Sequence, residues 1–215
     1  MAYESSLQGT PIVTTSRTAT VILVLFGCLV AITTHLFVLY VSGLNPATSP
    51  IGALAWTDNA VWFRYGLWLF ALGHLGLVLL LHRPEASRFT RGAQLFLLVD
   101  AALIFWLPWH FESTPPTVMT STAVDVPLWL LGGSVGFAMT CVAGSLWRDQ
   151  RSTAFLSLVC LLLWSVLAPV FFALEPGWIG AYQRTVGALL LFWTAVLAVR
   201  IGFLGRTETL PAGSA

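Results

Sequence analysis

The sequence predicts an all-α polytopic membrane protein, a bundle of six transmembrane helices with both termini cytoplasmic. Three observations carry this expectation. Hydrophobic residues make up 57% of the 215 positions and charged residues 9%, with a mean hydropathy of +0.84. Soluble domains carry about 25% charge, so a chain this apolar needs the bilayer as its solvent. Six apolar stretches are long enough to cross, at about 20 residues each. Lastly, the arginines are sorted to one side of those stretches.

The stretches run over residues 18–43, 61–82, 90–108, 126–147, 152–174 and 179–204. Residues 1–17 and 205–215 are then cytoplasmic tails around one transmembrane domain of residues 18–204. The first stretch is too long for the apolar region of a secretory signal, and no A-x-A-like site follows it. Two connections, 44–60 and 109–125, are longer than the others and rich in Pro, Ser, Thr and Trp. Arg17, Arg83, Arg88, Arg91, Arg148, Arg151, Arg200 and Arg206 fall on one side, and only Arg64 and Arg184 near the other. The positive-inside rule therefore turns the two long connections outward and places the protein in the cell membrane as a multi-pass chain. Trp56, Trp62, Trp106, Trp109, Trp129 and Trp178 gather at the outer helix ends, where an indole sits at the headgroup level.

In the fourth stretch Gly132, Gly136, Thr140 and Gly144 recur every fourth residue. Such a stripe lets another helix approach closely, in the same bundle or in a second protein. Pro169 is expected to kink the fifth helix.

The polar residues are few. His74 and Asp100 lie at equal sequence distance from the turn near residue 87, so an antiparallel hairpin puts them at one depth. An unpaired Asp at a helix centre costs about 2.5–3.5 kcal/mol on insertion scales, and a hydrogen bond from the imidazole would offset much of it. The pair reads as a structural clasp or as a proton relay. A second set gathers at the outer face: His35, Asp58, Arg64, His110, Glu112, Asp125, Glu175 and Arg184. Pairing of Arg64 with Asp58 or Asp125, and of Arg184 with Glu175, would tie loops to helix ends. Alternatively Arg64, Arg184, Asp125 and the outer tryptophans line a vestibule for an anionic headgroup or small molecule.

Other chemistries find little footing. Lysine is absent, which excludes a retinal Schiff base. Cys28, Cys141 and Cys160 sit in apolar runs without CxxC spacing and read as packing residues. A net charge of +1 with no basic stripe excludes a nucleic-acid partner. His35 and His110 are the one pair at a common height for a bis-imidazole haem, and His35, His110, Glu112 and Asp125 match no metal motif. No cofactor is specified, and no GxSxG, Walker or HExxH motif is present.

Three places resemble a known family. "SPIGALAW" (49–56), "WLPWHFESTPP" (106–116) and "YQRTVGALLLFWTAVLAVR" (182–200) are similar to stretches of the six-helix bacterial and archaeal membrane family known as domain of unknown function 998. In the last, Gln183, Arg184, Trp193 and Arg200 stand in the family's order. The resemblance spans about residues 20–204 and implies the six-helix fold without naming a reaction. His110 and Glu112 stand where the family turn carries an acidic residue, and Asp125 and Pro127 stand where it has a histidine.

Three functions fit. The first expectation is a non-catalytic accessory or scaffold subunit that docks in a larger membrane complex. The second is a protein that binds a lipid or small amphiphile in an outward vestibule. The third is a proton-coupled transporter or membrane enzyme using His74 and Asp100. No broken-helix repeat supports a transporter, and only two polar groups share the midplane. The expected partners are the lipid bilayer, other membrane proteins and a bound lipid.

Overall fold

A computed structural model describes residues 11–82, 86–114 and 126–203, with backbone alone at 11–15, 168, 169, 171–173 and 176. Its long elements are α1 (Pro11–Ser42), α2 (Ala60–Leu80), α3 (Arg88–Ser113), α4 (Val126–Leu146), α5 (Arg151–Ala173) and α6 (Ile179–Phe203). Each predicted apolar stretch falls on one of them. Five are long and apolar enough to cross a membrane, and α5 carries a further apolar run over Arg151–Leu167. The chain is an all-α, multi-pass membrane protein.

Two helices overrun their expected limits. Helix α1 reaches back at least to Pro11, inside the expected tail. Helix α3 continues through Pro108 to Ser113, although residues 109–125 read as a loop. An interior proline costs a helix about 3 kcal/mol. Burial of Leu107, Pro108 and Phe111 against the bundle supplies the opposing term, at roughly 1.5–3 kcal/mol for each large apolar side chain. Helix α5 likewise runs unbroken past Pro169.

Sequence neighbours pack as spatial neighbours, α6 returns to α1 to close a ring, and α2 touches α6 across it. The tightest seam is α1–α2. Gly27 faces the Leu69 carbonyl, Gly66 faces Thr34 and Ala31, and Gly73 and Gly76 face Val24. A Cβ at Gly27 would collide with backbone, so this seam depends on glycine. The α4 stripe works differently from the expectation of a helix-docking seam. Gly132 and Gly136 receive the Trp164 ring of α5, and the Trp164 indole N–H donates to Gly132 O at 2.9 Å. Gly144 receives Phe89 of α3, and the Thr140 hydroxyl donates to Gly136 O within α4. Aromatic rings of the same chain pack against Gly132, Gly136 and Gly144.

The 44–59 connection is part of the core. Gly43, at φ +64°, ends α1 in the left-handed conformation that glycine adopts without strain. The chain then forms a 3-10 helix, Ile51–Trp56, and inserts a fully buried Leu54 among Val38, Phe63, Leu107 and Phe111. The Trp56 indole N–H donates to Phe111 O at 2.8 Å, fastening the connection to the overrun of α3. At the opposite end of the bundle the Ser87 hydroxyl caps α3 by accepting from Thr90 N. The six belt tryptophans are 40–60% exposed, as an interfacial girdle requires.

Candidate functional site

The ring of helices does not close on itself at the end covered by the 44–59 connection. It leaves a cavity of about 860 Å³, walled by all six helices and roofed by Ile51. Its lining is almost wholly apolar; the polar groups among the described residues are His35, Tyr182, Gln183, Arg184, the hydroxyls of Thr140 and Ser165 and the indole N–H groups of Trp129 and Trp164. Small-molecule sites span about 300–1,000 Å³ and show this same pattern of apolar wall with few convergent polar groups. Glycines make the room: Gly132, Gly133 and Gly136 on α4, and Gly187 on α6, all line it.

The polar end is built by α6 and the connection together. Ala181 N donates to Ala47 O at 3.0 Å, and Ile51 N donates to Gln183 Oε1 at 2.7 Å. Arg184 Nη1 donates to Pro46 O at 2.9 Å and Ser49 O at 2.8 Å. Gly180, one turn before Arg184, allows this approach, since a Cβ there would run into Ser49 O, Pro46 O and the guanidinium itself. These bonds use Nη1 alone. Arg184 Nε and Nη2, on the other edge of the guanidinium, are buried and have no hydrogen-bond partner among the described residues. His35 Nε2 is also buried without one, and His35 lies close enough to feel the charge of Arg184. The His35 ring meets Phe63 edge-on, 6.3 Å between centroids.

The seam between α5 and α6 is the loosest between neighbours in the ring. Among the described residues its hydrogen bonds lie toward its two ends. Tyr182 Oη donates to Leu167 O at 3.1 Å near the polar end. Trp193 Nε1 donates to Ser157 Oγ, and Arg200 Nη1 to Ser152 Oγ, both at 3.2 Å, toward the other. Between Tyr182 and Trp193, roughly 16 Å of helix, the seam is held by apolar contact.

Of the rest of the predicted outer set, Asp58, Arg64, His110, Glu112 and Glu175 do not line the cavity. Arg64 pairs with Glu112, Nε to Oε1 2.6 Å, both about one-third exposed, and not with Asp58. Its alternative partner, Asp125, lies outside the described residues. The overrun of α3 explains this pairing, because it carries Glu112 up beside the start of α2. Arg184 bonds to backbone carbonyls in place of Glu175, which is exposed. His110 stacks on Trp106 at 5.3 Å and is not among the residues that line the cavity with His35. Among the described residues no three His, Cys, Asp or Glu side chains gather as a metal site.

His74 and Asp100 are both fully buried. Cross-links from Gln94 to Val78 O and from Trp68 to Phe105 O set the α2–α3 register and hold the two at closely similar depth. They are not clasped: no hydrogen bond or ion pair joins them. His74 Nδ1 lies 3.2 Å from Phe70 O, one turn up its own helix. A ring nitrogen facing a carbonyl carries the hydrogen, so Nε2 is left as an acceptor, and it has no donor. Both Asp100 oxygens are buried without a well-formed hydrogen bond; the Ser134 hydroxyl beside them donates to Phe96 O at 3.3 Å. Thr194 Oγ1 on α6 is the third orphan. Each lies one helical turn beyond a cavity-lining residue: His74 beyond Phe70, Asp100 beyond Ile104 and Thr194 beyond Leu190. A polar layer therefore underlies the apolar floor.

Sequence reasoning named His35, Arg184 and Trp129 among the cavity residues and missed Tyr182, Trp164, Gly180 and the carbonyls of Pro46 and Ser49. Gly180 four residues before Arg184 was a signal, since it opens a gap one turn from the guanidinium. Comparison with protein-family models, curated proteins and solved structures finds no match. The family resemblance stands on its quoted residues alone.

Proposed function

We propose that the protein is a six-span membrane protein, termini cytoplasmic, that binds a lipid-derived amphiphile in the outer half of the bilayer. One observation carries this: the 860 Å³ apolar cavity ends at an arginine whose second edge has no partner among the described residues. The tail occupies the apolar part, the head lies at Arg184, and the molecule passes between bilayer and cavity along the α5–α6 seam. The arginine distribution supports the orientation. The relay reading lacks a joined His74–Asp100 pair.

The test is native mass spectrometry of protein extracted in mild detergent, with the bound lipid identified after organic extraction. Gly187→Phe is the control: Gly187 lines the cavity and its added Cβ meets nothing within 4 Å, so the ring enters free space. The expected result is one retained amphiphile in the wild type and little in the variant, with both folded. Equal retention in both, or a bare wild-type chain, overturns the proposal.

A further inference from the structure

Resting on that amphiphile reading, the geometry points to the class of the head: we infer that Arg184 selects a single-chain amphiphile with a carboxylate head. A guanidinium offers two forked edges, and here the two are treated differently. Nη1 is fixed by the Pro46 and Ser49 carbonyls, which orients the plane and prevents it from swinging. Nε and Nη2 form the side-on fork, the edge that grips a carboxylate with two parallel hydrogen bonds. Both are buried donors without an acceptor among the described residues, an arrangement that is unfavourable until an acceptor arrives. His35 Nε2, also buried and unpartnered among the described residues, belongs to the same lining.

Charge counting narrows the head further. Among the described residues Arg184 is the one arginine in the lining, and no Asp or Glu lines the cavity. One fixed positive charge matches one negative charge, whereas a phosphate monoester dianion would leave a second uncompensated among apolar walls. Size argues the same way. The roof over Arg184, residues 46–51, is tied to α6 by four hydrogen bonds, so a head much larger than the oxyanion would have to displace it.

The experiment is scintillation-proximity binding of a tritiated sixteen-carbon fatty acid to the full chain in nanodiscs of zwitterionic lipid. Unlabelled acid, the alcohol of the same chain and its phosphate monoester serve as competitors. The expected result is saturable binding, with the acid competing about tenfold or more better than the alcohol. The phosphate should compete less well than the acid. Arg184→Gln should abolish the acid's advantage over the alcohol. Arg184→Lys keeps the charge without the fork and should recover only part of it.

Equal competition by acid and alcohol in the wild type overturns the carboxylate assignment and leaves the cavity reading standing. Better competition by the phosphate also overturns it. Absence of saturable binding by any of the three chains, with the folded state verified by size exclusion, overturns the cavity reading itself.

Discussion

Gly180→Ala tests the join between α6 and the connection with one methyl group. Two effects oppose each other. Alanine favours a helix over glycine by about 1 kcal/mol. Against this, the new Cβ would meet Pro46 O at 2.7 Å and Arg184 Nη1 at 2.7 Å, and would lie closer still to Ser49 O. Two of these neighbours are backbone, which cannot swing aside as a side-chain tip can. Relief requires the connection to lift, and lifting breaks the bonds from Arg184 to Pro46 O and Ser49 O and strains that from Ala181 N to Ala47 O. Hydrogen bonds to a charged donor are worth about 1.5–3 kcal/mol each and a neutral one about 1 kcal/mol. The clash therefore wins, with a net destabilisation of roughly 2–5 kcal/mol. Thermal unfolding followed by tryptophan fluorescence should show a lowered midpoint, and binding of a carboxylate amphiphile should weaken because the guanidinium is no longer oriented. A variant as stable as the wild type with unchanged binding would refute the claim that these carbonyls seat Arg184.

Asp100→Leu should raise the thermal midpoint, because it removes a fully buried carboxyl whose oxygens have only the Ser134 hydroxyl beside them; under-satisfied buried groups cost about 1–3 kcal/mol. A clear fall in the midpoint would show that the carboxyl has a partner. In a double-mutant cycle of Arg64→Gln and Glu112→Gln, the coupling should stay below about 1 kcal/mol, since the pair is one-third exposed and screened. Chemical unfolding at low and high salt measures it, and a salt-independent coupling of several kcal/mol would contradict the assignment. Trp164→Phe should lower stability and alter retention of the amphiphile, because it removes the indole donor to Gly132 O on the cavity wall. Unchanged values of both would show that the bond has no consequence.

The helices were legible because bilayer thickness imposes a length that composition reveals directly, and α2, α4, α5 and α6 fell within two residues of their expected limits. The α3 overrun was not legible. Pro108 is a local stop signal, and its override comes from burial of Leu107 and Phe111 against Leu54, a contact between distant segments. The same remoteness explains the missed Arg64–Glu112 pair, which exists only once α3 is extended. Equal depth of His74 and Asp100 followed from counting residues around the hairpin. Their failure to join depends on side-chain direction, and His74 turns to the carbonyl of its own helix instead. The α4 stripe was visible as a gap between side chains, but what packs against it, Trp164 and Phe89, is decided by neighbouring helices. Arg184 stood out as an arginine on the sparsely charged side. Its locked Nη1 and open fork belong to backbone carbonyls, which no residue pattern encodes.

The central claim is the position of the amphiphile, and photo-crosslinking tests it most directly. A sixteen-carbon acid with a chain-terminal diazirine, activated on the protein in nanodiscs and mapped by peptide mass spectrometry, should label 132–140 of α4, 161–167 of α5 and 186–191 of α6. An excess of the unlabelled acid should suppress that labelling. Labelling confined to membrane-facing residues such as Leu79, Leu95 and Leu162, and insensitive to the competitor, would show that the chain stays in the bilayer and that the cavity does not hold it.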